Sequence, residues 1–147
     1  MNTTFAVVRS GDVEAFAELY ASVFNAPPWL DGWTMPAARE RLRSLAAAPR
    51  FEALGAFQGH RPVALVLGSG ERWVKGWVLH LREMFVATSL QRNGIGRRLL
   101  EQFEASLLGK YTGLYLLTST RVPARSFYAA CGYAPLDLVS MRKHIGA

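Results

Sequence analysis

Between Met84 and Leu100 an apolar run, Met84-Phe85-Val86-Ala87, enters the turn Gln91-Arg92-Asn93-Gly94-Ile95-Gly96 and emerges as the amphipathic stretch Arg97-Arg98-Leu99-Leu100. A strand that passes through a glycine turn directly into a helix must lay that helix back on its own sheet, which constrains the rest of the chain. The turn gathers backbone N–H groups that have no partner within the helix, and a helix terminus of this kind favours a phosphate or pyrophosphate. Gly94 and Gly96 carry no Cβ, so a bulky anion can approach the main chain closely. Arg92, Arg97 and Arg98 add positive charge around the turn. The segment reads as a diphosphate cradle.

Two other phosphate-binding patterns fail on spacing. The Gly-x-Gly-x-x-Gly fingerprint of dinucleotide sites is missing, and the turn lies late in the chain. A Walker loop ends in Gly-Lys-Ser/Thr, whereas this turn continues Gly96-Arg97-Arg98. Taken alone, a glycine-rich strand-to-helix turn is more often a tight turn than a ligand site.

A chain of 147 residues with half of them hydrophobic is expected to form one domain, 1–147, with a substantial core. No run of about 18 apolar residues occurs, and the N-terminus lacks the basic-then-apolar pattern of a signal peptide. These features predict a cytoplasmic protein with no membrane partner. Cys131 is the single cysteine, which fits a reducing compartment. The net charge of +6 comes from scattered basic residues, concentrated at 39–43, 92–98 and 142–144. Without a run of five or more Lys or Arg, and with no zinc-ligand spacing, neither nucleic acid nor metal is expected as a partner.

Periodicity predicts strands at 4–9, 51–58, 62–69, 77–86 and 113–119, with terminal strands around 133–144. Helices are expected after Ser10, read as an N-cap, and from Thr34 to about Ala47. Two more are expected at 94–108 and 123–131, and Pro27-Pro28 stops the first helix. The pattern is a mixed sheet with helices on its faces, an α/β or α+β layered domain.

The turn Gln91 to Gly96 matches the Gln/Arg-x-x-Gly-x-Gly/Ala pattern of the GCN5-related N-acetyltransferases, the GNAT family. The later segment Ala124-Arg125-Ser126-Phe127-Tyr128-Ala129-Ala130-Cys131-Gly132-Tyr133 resembles that family's Ala-x-x-Phe-Tyr-x-x-x-Gly-Phe motif. The order of elements is also similar along essentially the whole chain. The resemblance implies a mostly antiparallel central sheet of six to seven strands flanked by about four helices. It further implies acetyl-CoA as acyl donor, no metal, and transfer of the acetyl group to an amine through a ternary complex.

Carried over residue by residue, the resemblance assigns the pantetheine arm to the backbone of Met84, Phe85 and Val86, where the strand splays from its 113–119 neighbour. It assigns the pyrophosphate to Gln91, Arg92, Asn93, Gly94, Ile95, Gly96 and Arg97. Tyr128 matches the tyrosine that protonates the departing thiolate, the alternative being a helix residue packed with Phe127. Arg121 stands where family members often carry an asparagine that contacts CoA, so no role is carried over there.

Glu83 is the candidate base for the amine, a carboxylate on the cofactor strand beside an apolar run. Its alternative reading is an ion pair with Arg82 or another basic side chain nearby. His80 is a weaker candidate. Strict alternation puts Leu81, Glu83 and Phe85 on one face and His80, Arg82 and Met84 on the other. Trp29, Asp31 and Trp33, in the loop after the first helix, are candidates for the acceptor wall through apolar, cation–π and ionic contact. Alternatively, the tryptophans simply pin that loop to the core.

The reading is an N-acetyltransferase acting on a small primary amine such as an aminoglycoside, a polyamine or an amino-acid derivative. Protein N-termini or lysines, a non-catalytic acyl-CoA sensor and a nucleic-acid-associated module are the alternatives. A basic surface argues against histone-like basic peptides as acceptors. Cys131 reads as a packed helix residue, and no covalent intermediate is invoked. A homodimer remains open, the terminal hairpin being an available edge.

Overall fold

The sheet takes its form from a few alternating strands and two register shifts between them. The computed structural model describes residues 2–146. The chain falls into two compact units that divide after Leu116. In the first unit β1 (Thr3–Val7), β2 (Phe51–Gln58), β3 (Arg61–Trp73), β4 (Gly76–Val86) and β5 (Gly113–Tyr115) lie side by side in chain order. The first four are antiparallel, and β5 runs parallel to β4. β3 is buried from Val63 to Ser69. A strand covered on both faces has no reason to alternate, and its sequence does not.

Helix α1 (Ala17–Asn25) follows a 3₁₀ segment, Ser10–Phe16, and stops before Pro27-Pro28. The residue before that 3₁₀ segment is Arg9, and no side chain caps it, so Ser10 is not the expected N-cap. Helix α2 (Met35–Ala46) is capped as predicted, the Thr34 hydroxyl accepting from the Ala37 N–H at 3.3 Å. These two helices cover one face of the sheet, where Phe16, Tyr20, Val23, Leu42 and Leu45 pack with Leu65, Leu67 and Phe85. Helix α3 (Ile95–Leu107) packs on β2, β3 and β4, with Leu99, Leu100, Phe103 and Leu107 buried.

One shift lies between β2 and β3, where Ala56 pairs with Ala64 but Phe57 with Pro62, and the other lies between β3 and β4. Leu67 pairs with Glu83 but Gly68 pairs with Leu81, so Arg82 is an extra residue, a β-bulge. Gly68 allows the tight approach, since a Cβ there would collide with the His80 carbonyl oxygen. Cross-strand partners share a face, and a one-residue shift moves side chains to the other. Ser69 alternates in phase with Leu65 and Leu67, and its partner is His80. His80 therefore joins Glu83 and Phe85 on the α1–α2 face, while Leu81, opposite Gly68, turns away. This corrects the strict alternation expected from the sequence.

The second unit holds α4 (Ala124–Ala130), followed by a turn in which Gly132 has φ +95°. The strands expected around 133–144 do not form among the described residues, and the sheet has five strands rather than six to seven. A strand persists only where a neighbour takes its hydrogen bonds, and none pairs with this segment. Leu136, Leu138, Val139 and Met141 are accordingly exposed. Among the described residues no helix is long and apolar enough to cross a membrane.

Candidate active site

The β4–β5 ladder consists of Val78–Gly113, Leu79–Leu114 and His80–Tyr115, and it ends there. Beyond His80, β4 has no strand on that side among the described residues. On its other side the Ala87 N–H donates to the Val63 carbonyl at 2.8 Å. Alternation then turns the backbone of Phe85 toward β3 and those of Met84 and Val86 toward the open edge. The Val86 carbonyl accepts from Gln91 Nε2 at 3.1 Å, which ties the following turn to the end of the strand.

The turn places Arg92 at φ +68° and Gly94 at φ +79°, and α3 begins at Ile95 without a side-chain cap. The Arg98 N–H donates to the Gly94 carbonyl at 3.1 Å. The preceding N–H groups, of Ile95, Gly96 and Arg97, have no acceptor four residues back within the helix. A Cβ on Gly94 would meet nothing within 4 Å, so the space above the turn is open. Arg97 pairs with Glu101 at 3.0 Å, and the Arg98 guanidinium lies over the Phe5 ring at 5.0 Å. Arg92 and Asn93 are exposed in the turn itself. An open strand edge running into uncapped amides suits a ligand with an extended amide-bearing arm and a diphosphate.

The α1–α2 face carries the other half of the arrangement. Glu83 Oε2 accepts from the Tyr20 hydroxyl at 2.5 Å and from Arg41 Nε at 3.4 Å. Only 14% of the Glu83 side chain is exposed. Burial pushes its carboxyl above the usual range, against the Tyr20 hydrogen bond and the Arg41 charge. Burial and the carboxylate together push the Tyr20 phenol up, so it stays a donor. The ion-pair reading of Glu83 thus finds its cation in Arg41, on α2. Sequence reasoning missed both partners, which lie 63 and 42 residues away. The available signal was Tyr20 on the apolar face of α1, since a buried phenol needs an acceptor.

Aromatic rings wall this carboxylate. Tyr20 meets Phe24, Trp33 and Phe85 at ring distances of 4.8, 5.1 and 5.3 Å, and Phe24 meets Trp29 at 5.3 Å. Asn25 holds the loop by a reciprocal pair with Trp33: its Oδ1 accepts from the Trp33 N–H at 2.6 Å, and its Nδ2 donates to the Trp33 carbonyl at 2.9 Å. The Trp33 indole N–H donates to Asp31 at 3.1 Å. The structure therefore brings Trp29, Asp31 and Trp33 together with Glu83, through Tyr20 and Phe24.

In the second unit Tyr128 lies on α4, its ring edge-on to Phe127 at 5.3 Å and to Tyr133 at 5.8 Å. Its carbonyl accepts from the N–H groups of Cys131 and Tyr133, both at 3.0 Å. No group of three or more His, Cys, Asp or Glu placed to hold a metal occurs among the described residues.

Residues 14–133 match the family model described as the acetyltransferase (GNAT) family. No curated protein matches the sequence. Among solved structures, an aminoglycoside acetyltransferase, meta-AAC0020, from an uncultured soil metagenomic sample is similar at TM-score 0.80 and 17% identity. The match covers 98% of this chain and 97% of that one. The ribosomal-protein-alanine N-acetyltransferase of Brucella melitensis biovar Abortus 2308 is similar at TM-score 0.75 and 18% identity, over 98% and 100% of the chains. The aminoglycoside N-acetyltransferase AAC(6')-Iy in complex with CoA aligns at TM-score 0.74 and 14% identity, over 97% and 95%. At these identities the likeness establishes the fold.

Proposed function

The chain belongs to the GNAT acetyltransferase family, and from that premise we propose that it moves an acetyl group from acetyl-CoA to a primary amine of a small molecule, by direct transfer. The observation that carries this reading is the open edge of β4 at Met84 and Val86 leading into the uncapped N-terminus of α3. Met84 and Val86 offer backbone groups to the pantetheine arm, Phe85 keeps the edge in place by pairing with Leu65, and the amides from Gln91 to Arg97 hold the pyrophosphate. Bound there, acetyl-CoA supplies an acyl thioester open to attack by an amine.

The chain's own groups handle the protons. An ammonium must become an amine before it attacks, and Glu83 takes that proton. Its burial favours the protonated form, which suits a carboxyl that must accept a proton near neutral pH. Trp29 and Trp33 give the acceptor an apolar and cation–π wall, and Asp31 attracts its charge. Tyr128 provides the proton for the departing thiolate, a role that rests on its motif. Aminoglycoside substrates of structurally similar enzymes favour a small-molecule acceptor.

Thermal unfolding with acetyl-CoA, against NAD and free phosphate, tests the donor. A ligand present at a hundredfold over its Kd adds about 2.7 kcal/mol, a Tm rise of roughly 5–10 °C for a chain of this size. Release of CoA thiol in the presence of sisomicin, spermidine, an amino-acid amide or an alanine-terminated peptide tests the acceptor. Stabilisation by acetyl-CoA alone, with thiol release by one of the small amines, is expected. No shift at millimolar acetyl-CoA sinks the donor assignment, and release with the peptide only moves the acceptor to a protein terminus.

A further inference from the structure

Two arginines on α2 meet carboxylates, and they do so differently. Arg43 grips Glu14 with two nitrogens, Nε to Oε2 at 3.2 Å and Nη2 to Oε1 at 2.9 Å. That is the fork-to-fork geometry of an arginine whose work is to pair with a side chain. Arg41 makes a single hydrogen bond to Glu83, from Nε, at 3.4 Å. The usual N–H···O bond is shorter, about 2.7–3.2 Å. The oxygen it reaches is already taken by the Tyr20 hydroxyl at 2.5 Å. Among the described residues no other carboxylate pairs with Arg41, so the planar edge formed by its two Nη groups is unmatched. With 35% of the side chain exposed, the guanidinium is partly accessible.

Arg41 thus stands beside the place that the acceptor must reach. An ammonium that gives its proton to Glu83 sits about 3 Å from that carboxylate, and the guanidinium flanks the same group. An α-amino acid carries its carboxylate three bonds from its nitrogen, about 3 Å away. One more hydrogen bond of about 2.9 Å closes the gap to a guanidinium on the other side of the base. The charges here are mixed accordingly. A polycation would set a second ammonium against Arg41, whereas a zwitterion meets each charge with its opposite. Burial works against the charge on Arg41, but Glu83 and Tyr20 outweigh it, so the guanidinium stays protonated. Phe24, Trp29 and Trp33, joined through Tyr20, supply an aromatic wall that suits an apolar side chain.

We propose that Arg41 is the carboxylate receptor of the acceptor site, and that the acceptor is a free α-amino acid with an apolar side chain. Its ammonium meets Glu83 and its carboxylate meets the Nη edge of Arg41. This rests on the acetyl-transfer reading above and narrows it. The product is the N-acetyl amino acid, in which a new N–C bond replaces the C–S bond of the thioester. One ammonium proton leaves by way of Glu83, and a second restores the proton that Tyr128 gives the thiolate.

Thiol release with leucine, leucinamide and isopentylamine tests the assignment, since the three share a side chain and differ at the carboxylate. In the wild type, KM for leucine should lie on the order of 10²-fold below that for isopentylamine. Arg41→Ala should raise KM for leucine by a similar factor and leave the other two within about threefold. Taking the ratio of variant to wild type for each amine cancels their different basicities. The same substitution removes a cation from Glu83, so the acid limb of kcat/KM should move to higher pH for all three, and KM is compared on the plateau. Arg41→Lys keeps the charge without the fork, so it should hold the limb near its wild-type position and recover only part of the leucine affinity. 4-Methylpentanoate, which has the carboxylate and no amine, should compete with leucine in the wild type and far less in Arg41→Ala. Equal KM losses for leucine and isopentylamine in Arg41→Ala overturn the proposal, as does a wild-type enzyme that prefers isopentylamine or an aminoglycoside. If acetyl-CoA neither stabilises the protein nor yields thiol with any amine, the acetyl-transfer reading falls and this one with it. Turnover of another amine with leucine inert sinks only this one.

Discussion

At the residue scale, Glu83 is a lone carboxylate beside Met84-Phe85-Val86, a placement that packing alone does not explain. Tyr20 and Arg41 reach it from two different helices, and neither helix shows in its own sequence which strand position it will face. The pair has a consequence for pH dependence. Removing the Tyr20 hydroxyl takes a donor from the ionised carboxylate, so the Glu83 carboxyl rises further and the acid limb of kcat/KM should move to higher pH in Tyr20→Phe. Glu83→Gln should cut kcat/KM by about 10²–10⁴, the usual size of a general-base contribution. Both are read from pH–rate profiles, and a Tyr20→Phe limb that stays in place would detach the tyrosine from the base. Tyr128→Phe should lower kcat and spare acetyl-CoA affinity. Measured by calorimetry and turnover together, unchanged turnover would return that ring to a packing role.

Local signals were enough for some elements and useless for others. The turn from Gln91 to Gly96 and the cap at Thr34 depend on residues within one or two turns of each other, and both formed where expected. The bulge depends on Gly68 meeting Leu81 of β4 across a hairpin, so strict alternation on β4 puts His80 and Leu81 on the wrong faces. The terminal strands failed for a related reason. Apolar residues from Leu136 to Met141 satisfy the pattern, but a pattern supplies no neighbour to pair with. At the cradle, the left-handed φ of +79° makes Gly94 costly to replace. Gly94→Ala should lose about 1–2 kcal/mol, a Tm fall of roughly 2–8 °C, and acetyl-CoA should bind more weakly because the amides of α3 are displaced. Since open space surrounds that position, the loss would come from the backbone and not from a clash. Thermal unfolding with and without acetyl-CoA separates the two effects, and an unchanged ligand-induced shift would show that the turn does not hold the donor.

Across the whole molecule, the net charge of +6 is distributed in a way that treats the two proposed substrates differently. The donor is an anion, and it would approach a turn carrying Arg92 at a helix N-terminus with no competing acidic group on that turn. The acceptor presents an ammonium, and its side carries Asp31 and Glu83, of which Glu83 is already met by Arg41 at 3.4 Å. Long-range attraction should therefore act mainly on the donor, and salt should reveal it. Screening shortens from about 10 Å at 0.1 M to about 3 Å at 1 M ionic strength. Between 0.05 and 0.5 M NaCl the Kd for acetyl-CoA should rise several-fold, while KM for the amine should change less, because Glu83 is already balanced at short range by Arg41 and Asp31 alone is left to steer the amine. Arg92→Ala should flatten the salt dependence of Kd more than Arg97→Ala, since Arg97 is already paired with Glu101 at 3.0 Å. Titration calorimetry across that salt range measures both slopes. A Kd indifferent to salt would mean that the turn holds the donor through its amides alone, and equal slopes for the two arginine variants would remove Arg92 from the cradle.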